Sequence, residues 1–318
     1  MKNIYSNIFS NNKKSLHKTI TNLKKGNIAG LPTETVYGLA GNAYLKESIK
    51  KIYKLKKRPK INPLIVHFYD YANAKNDVIL NANFFKLYKK FCPGPITFVL
   101  KKTKKSQIHS MVSANRSTVA IRFPNHKTIR SILKKISFPL AMPSANISSN
   151  ISPVSAEDVA DEFKKKLKII LNGGKSKVGI ESTVIDLTRK PIILRPGIIG
   201  SDAINKVLKI KIGSLRKNSK ITSPGMLKRH YSPGIPIFLN QKTVNKTNAF
   251  ITLGKNYRNK KNFFNLSKNS NLKEAASNLY KTLRQIKKLK YKKIYVVKIP
   301  NLGAGIAIND RLKRASKK

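Results

Sequence analysis

Apolar residues recur along the chain with two periods. Leu16, Ile20 and Leu23 fall on one face of a short helix between residues 15 and 25. Ile49, Ile52 and Leu55 do the same in "KESIKKIYKLKKR", a basic helix that Pro59 should end. "NANFFKLYKKF" predicts a helix stopped by the "PGP" at 93–95, and "HKTIRSILKKI" predicts another. "SAEDVADEFKKKL" carries Ser155 and Asp158 at the spacing of a capping box. Between these lie short apolar runs rich in β-branched residues, which predict strands. They are "NIAGLPT", "PLIVHF", "ITFVLKK", "STVAIRF", "PLAMPSAN", "KIILNGG", "STVIDLT" and "IILRPG". Strands and helices mix without a strict βαβ period, so a mixed α/β sheet is expected rather than a purely parallel one.

The pattern weakens over residues 209–234, "KIKIGSLRKNSKITSPGMLKRHYSPG", where Gly, Ser, Pro and charge predominate. Beyond it, "IPIFL", "AFITLG" and "KIYVVKI" read as strands and "NLKEAASNLYKTLRQIKKL" as a helix. The expected organisation is a first domain over 1–208, a linker over 209–234, and a small α/β domain over 235–318. No internal repeat is visible.

With 318 residues and 40% hydrophobic content, the chain can bury a sizeable core. Its 66 basic and 13 acidic residues give a formal charge of +53, which attracts polyanions such as nucleotides, RNA or DNA. Much of the excess is scattered lysine amid asparagine and isoleucine, a composition that AT-rich codons produce without any selected partner. The single cysteine, Cys92, excludes an internal disulfide framework and fits a reducing, cytoplasmic setting. No signal peptide and no membrane span is expected.

Several motifs fail on inspection. "NGGKSKVG" lacks the first Walker glycine, since Ile169 lies five residues before Gly174. "GAGIAI" offers Gly303 and Gly305 but then Ile308, so the dinucleotide fingerprint fails too. The histidines show no metal spacing, and no serine sits in a nucleophile elbow. What remains is a set of polar residues at predicted strand and helix ends. Lys56 and Arg58 close the basic helix, with Asn62 and His67 beyond. Thr118 and Arg122 flank one strand, Ser144 and Asn146 follow another, and Ser148, Ser149 and Ser152 lie behind them. Ser182 and Thr183 open a strand, and Arg195 closes one. Open α/β sheets bind ligands at strand ends. An inventory rich in Arg, Lys and hydroxyls suits a triphosphate and a small anion better than hydrolysis by paired acids. Each residue alone also has a bland reading: a solvated helix end, a core histidine, a Ser or Asx turn.

Taken together, "LPTETVYGL", "KLKKRPKINPLIVH", "PGPITFVLKK", "STVAIRFPNH", "PSANISSNISPVSAEDV", "GGKSKVGIESTVIDLT" and "ILRPG" resemble the YrdC-like family over about residues 15–200. "SPGMLKRHYSPG" and "GAGIAINDRLKRAS" resemble the linker and C-terminal signature of its two-domain branch, the threonylcarbamoyl-AMP synthases. The resemblance implies a twisted mixed sheet with a basic concave face, then a Rossmann-like domain. It implies synthesis of threonylcarbamoyl-adenylate from L-threonine, bicarbonate or CO2, and ATP, with Mg2+ on the nucleotide and pyrophosphate released. The product would pass to threonylcarbamoyl-transferase machinery that modifies tRNA.

Carried over by position, the resemblance places Thr35, His67, Arg122, Ser182 and the backbone of Met142 on threonine. It places Lys56, Arg58, Asn62, Thr118, Ser144, Asn146, Ser152 and Arg195 on ATP, with Tyr231 folding over the nucleotide as part of a linker lid. Lys56 and Arg58 would neutralise the phosphates in catalysis, and no protein-held metal is implied. A double-stranded RNA-binding module of the same fold, without synthase activity, is the alternative that the high charge favours.

Overall fold

The amphipathic runs form helices because their apolar stripes are buried and polar side chains close their N-termini. The computed structural model describes residues 5–214, 230–257 and 260–317. The Asn12 side chain accepts from Ser15 N to start α1 (Lys13–Lys24), which follows β1 (Ile8–Ser10). Next come β2 (Ala29–Leu31), β3 (Gly38–Asn42), α2 (Lys46–Lys56), β4 (Ile65–His67) and α3 (Tyr71–Ala74). The helix α2 stops at Lys57, which adopts a left-handed φ of 49°, two residues ahead of Pro59. The chain continues through α4 (Ala82–Phe91), β5 (Ile96–Lys101), β6 (Thr118–Arg122), α5 (Lys127–Leu133) and β7 (Leu140–Ala141).

Ser155 accepts from Asp158 N at the start of α6 (Ala156–Phe163). The Asp158 carboxylate accepts from Val154 N rather than from Ser155, so the capping box is offset by one residue. Then follow β8 (Ile170–Asn172), β9 (Thr183–Asp186), β10 (Ile192–Arg195), α7 (Ser201–Leu208) and β11 (Gly213–Ser214). The last part holds β12 (Ile237–Phe238), β13 (Ala249–Thr252), β14 (Phe263–Asn265), α8 (Leu272–Lys288), β15 (Ile294–Val296) and α9 (Ala304–Ala315).

Among the described residues, the strands to β11 make one eleven-stranded sheet in the order β1-β8-β2-β3-β7-β4-β6-β5-β9-β10-β11. It is mixed: β4 and β6 run parallel, while β5 and β6 run antiparallel. The four later strands form a second, wholly parallel sheet, β12-β15-β13-β14. Both sheets agree with the fold class expected from the pattern. Gly213 and Ser214, inside the segment expected as linker, pair instead with β10. Of the expected lid, residues 223–229 lie outside the described residues, and His230 and Tyr231 within them.

Strand alternation decides what the large sheet presents on each face. Val66, Ile121 and Phe98 pack into the main hydrophobic core. Their neighbours Ile65, Ala120, Val99, Val184 and Leu194 form a small apolar floor on the opposite face. On that face the polar strand-end residues gather. A separate core joins the two sheets: Val36, Ile151, Val154 and Ile180 pack with residues of β13, α8, β15 and α9.

Candidate active site

A cavity of about 50 Å3 opens above this floor. Ile65 and His67 lie two apart on β4 and so share a face, and Arg122 on β6 is the register partner of His67. Met142 and Pro143, just past β7, form another wall, with Thr33 and Val36 of the "LPTETVYGL" loop beside them. Arg58, Ser144, Glu181, Arg195, His230 and Tyr231 complete it. Of the residues singled out in the sequence, seven therefore line one cavity: Arg58, His67, Arg122, Met142, Ser144, Arg195 and Tyr231.

Six others stand behind its wall. Lys56 is buried, and its ammonium donates to the carbonyls of Ser144 and Asn146, each at 2.5 Å. Burial first, and then neighbouring Arg58, pull its pKa well below the ordinary lysine value. Asn62 accepts from Arg58 Nη2 at 2.7 Å, and Arg58 also donates to the carbonyls of Asn62 and Pro63, so a two-carbonyl grip fixes the guanidinium. Burial lowers the Arg58 pKa to about 10, which still leaves it a cation. Asn146 donates to the Ile147 and Asn150 carbonyls and so shapes its own loop. Ser152 donates to Glu181, and the Ser182 hydroxyl lies 2.7 Å from that of Thr97 and accepts from Arg195 Nη2.

Thr35 is fully buried, with its hydroxyl 2.9 Å from that of Thr33. Thr33 also donates to the Val36 carbonyl at 2.6 Å and lines the cavity, where Thr35 does not. Glu34 accepts from Arg122 at 2.7 Å, and both are buried. The loop thus divides its three polar residues between turn closure, backing and an ion pair.

Thr118 sits apart from these residues. It shares the face of Arg122 but opens β6, whereas Arg122 closes it. Four residues at about 3.3 Å each put them roughly 13 Å apart along the strand.

Gly38 begins β3, and a Cβ there would collide with Met142 Cγ. Its hydrogen atom makes room for the methionine.

The residues that sequence reasoning missed are Glu181, His230 and, from the second sheet's side, Arg311. Glu181 accepts from Ser152, from Tyr280 at 2.9 Å and from Arg311 Nε at 2.9 Å. Burial opposes its ionisation, but Arg311, Arg195 and the Ser152 hydrogen bond outweigh that and hold its pKa at about 2. Burial keeps His230 neutral, with its pKa down at about 3. Burial and the Arg122 charge likewise push His67 well below the ordinary imidazole value. Several buried atoms have no partner among the described residues: His67 Nδ1, Arg122 Nε, Glu34 Oε2 and the Tyr231 hydroxyl. Unsatisfied polar atoms clustered around one cavity are what a site complementary to a polar ligand contains.

Among the described residues, no group of three or more His, Cys, Asp or Glu could hold a metal ion, and no helix is long and apolar enough to cross a membrane. Glu34 and Glu181 are both engaged by arginines.

An open mixed α/β sheet whose strand ends offer guanidinium groups, hydroxyls and neutral imidazoles defines a protein that binds and orients anionic ligands. The chain belongs to the Sua5/YciO/YrdC family: the family model described as "Telomere recombination" matches residues 21–197. A second model, "Threonylcarbamoyl-AMP synthase, C-terminal domain", matches residues 199–317. The chain is 32% identical to the threonylcarbamoyl-AMP synthase of Pyrococcus abyssi, over 92% of each chain. It is 32% identical to that of Bacillus subtilis, over 92% of this chain and 90% of the other. In structure it is similar to the crystal structure of P. abyssi Sua5 complexed with L-threonine, with a TM-score of 0.89, 30% identity and 97% of both chains covered.

Proposed function

We infer that this chain is a threonylcarbamoyl-AMP synthase: it joins L-threonine, bicarbonate or CO2, and ATP into threonylcarbamoyl-adenylate and releases pyrophosphate, supplying the group for N6-threonylcarbamoylation of tRNA. The observation that carries this reading is the convergence of Arg58, Arg122, Arg195 and His67 on one cavity. It is supported by full-length similarity to proteins of that name.

The chemistry asks for position and charge rather than a nucleophilic side chain. The threonine amine adds to CO2 and gives up a proton, forming a carbamate. A carbamate oxygen attacks the α-phosphorus, and the bond to the β-phosphate oxygen breaks in line. Arg122, which keeps an unpartnered Nε beside its Glu34 ion pair, would hold the amino-acid carboxylate. His67, neutral with a free Nδ1, can accept a hydrogen bond from the amine without repelling it. The P. abyssi relative is complexed with L-threonine, which supports threonine as a substrate.

Arg58 and Arg195 face the triphosphate in this reading, and Lys56 acts on it by fixing the loop of Ser144 and Asn146. The nucleotide would lie along the apolar floor toward Thr118. Mg2+ would arrive on the triphosphate as part of the substrate, since the phosphates supply oxygen ligands. The product's onward partner is the class of transferase that moves an acyl-adenylate's carbamoyl group to tRNA.

Purified protein should release pyrophosphate from ATP only when both threonine and bicarbonate are present. Folded protein with no threonine-dependent release would overturn the synthase reading. Arg122→Ala should weaken threonine more than ATP, and Arg58→Ala the reverse, by about 1.5–3 kcal/mol for a charged hydrogen bond lost.

A further inference from the structure

Arg311 belongs to α9 in the second sheet's unit, yet its side chain is 1% exposed and ends against the first domain. Nε donates to Glu181 Oε2 at 2.9 Å, and Nη1 donates to the Pro196 carbonyl at 2.7 Å and to Asp310 at 2.9 Å. The same group lies 5.2 Å from the centre of the Tyr231 ring. Glu181 and Pro196 are not arbitrary anchors. Glu181 itself lines the cavity and precedes Ser182, Pro196 follows the cavity-lining Arg195, and Arg195 Nε donates to the Ser182 carbonyl. One side chain therefore grips both segments whose contact sets the direction of Arg195, and packs against the tyrosine opposite.

We propose that Arg311 is a positioning residue for the adenylation site, a clamp by which the second domain sets the geometry of Arg195, Ser182 and Tyr231 from behind. The proposal rests on the synthase reading. A planar fork is required, because Glu181 and the Pro196 carbonyl are held by different nitrogens of one rigid group. Lysine can satisfy one of the two contacts. Removal of the cation also leaves the Glu181 carboxylate buried without its main counter-charge, among Ser152 and Tyr280. Arg311 does not line the cavity, so its effect must pass through the residues it holds.

The test uses the full chain carrying Arg311→Met, Arg311→Lys and, as a control, Val296→Ala in the buried strand β15. Three quantities are measured for each: the melting temperature, ATP affinity by calorimetry, and threonine-dependent pyrophosphate release as KM for ATP. Arg311→Met should weaken ATP at least tenfold by both measures, and Arg311→Lys should recover part of that loss. Val296→Ala should lower the melting temperature while leaving ATP within twofold, since loss of core packing alone does not move Arg195. If Arg311→Met does not fold, Arg311→Lys decides, with an expected loss of threefold or more. ATP affinity within twofold of wild type in a folded Arg311 variant would overturn the clamp. So would an equal loss in Val296→Ala. Absent pyrophosphate release in the wild type would instead strike the synthase reading, and the ATP calorimetry would still judge the clamp.

Discussion

At the residue scale, the scarce carboxylates carry an outsized share of the structure. Glu181 accepts from Ser152, Tyr280 and Arg311 in a chain with 13 acidic residues. Its pKa, about 2 against an ordinary 4.5, makes it a source of stability that is complete above about 4.5 and drains as the pH falls toward 2. His230 nearby behaves oppositely in origin but not in consequence. Burial holds it neutral down to about 3, so the unfolded chain takes a proton from about 6.5 downward that the folded chain refuses. The melting temperature should therefore fall in two stages on acidification, shallowly below 6.5 and more steeply below 4.5. In Glu181→Gln the first stage should persist and the second should flatten. A variant curve parallel to wild type down to pH 3 would remove Glu181 from this account. Neither Glu181 nor Arg311 is legible as a pair in the sequence, 130 residues apart. The one available signal was a carboxylate embedded in the motif "GIESTVIDLT" of a chain otherwise poor in them.

At the element scale, what the sequence disclosed and what it hid separate by length and burial. Strongly periodic segments such as α2, α4 and α8 follow their apolar stripes, and the strands β4, β5, β6 and β9 follow their β-branched runs. The elements that escaped are short, polar or glycine-bearing: β1, β3, α3, α7, β11 and β14. The helix α9 was masked by "GAGIAI", which drew the eye to a failed glycine motif. Gly305 has a packing reason, for a Cβ there would collide with the Pro300 carbonyl oxygen, whereas Gly303, the N-cap, has a positive φ of 50°. The site residues were legible as types at strand ends, but the order of layers was not. Whether Thr33 or Thr35 faces the cavity depends on a turn closed by one hydroxyl. The start of β3 makes a test of such packing. Gly38→Ala should cost about 1–3 kcal/mol in denaturant unfolding, the usual penalty of an overfilled core. Because the clash is with Met142 Cγ, Gly38→Ala/Met142→Ala should be more stable than the sum of the two single losses predicts. Strict additivity would show that the methionine is not what the glycine accommodates.

At the scale of the whole molecule, ion pairs concentrate where the two units meet. Asp158–Arg284, Asp161–Lys288 and Glu181–Arg311 each join a residue of the first unit to one of α8 or α9. In a chain of formal charge +53 the two parts repel, and acidic groups at the joint offset that where it matters most. The shared core of Val36, Ile151 and Ile180 with α8 adds the apolar component. The same abundance of lysine gives one buried member a distinct standing. Lys56 is the one buried lysine among the described residues, its ammonium capped by two carbonyls. An amine-acylating reagent should therefore mark the surface densely and leave Lys56 unmodified while the fold holds. Peptide mass spectrometry across a denaturant series would find its label appearing only at the unfolding midpoint, and early labelling would contradict its burial. The surface that makes the protein hard to distinguish from its charged background thus turns this single amine into a chemical reporter of whether the site is assembled.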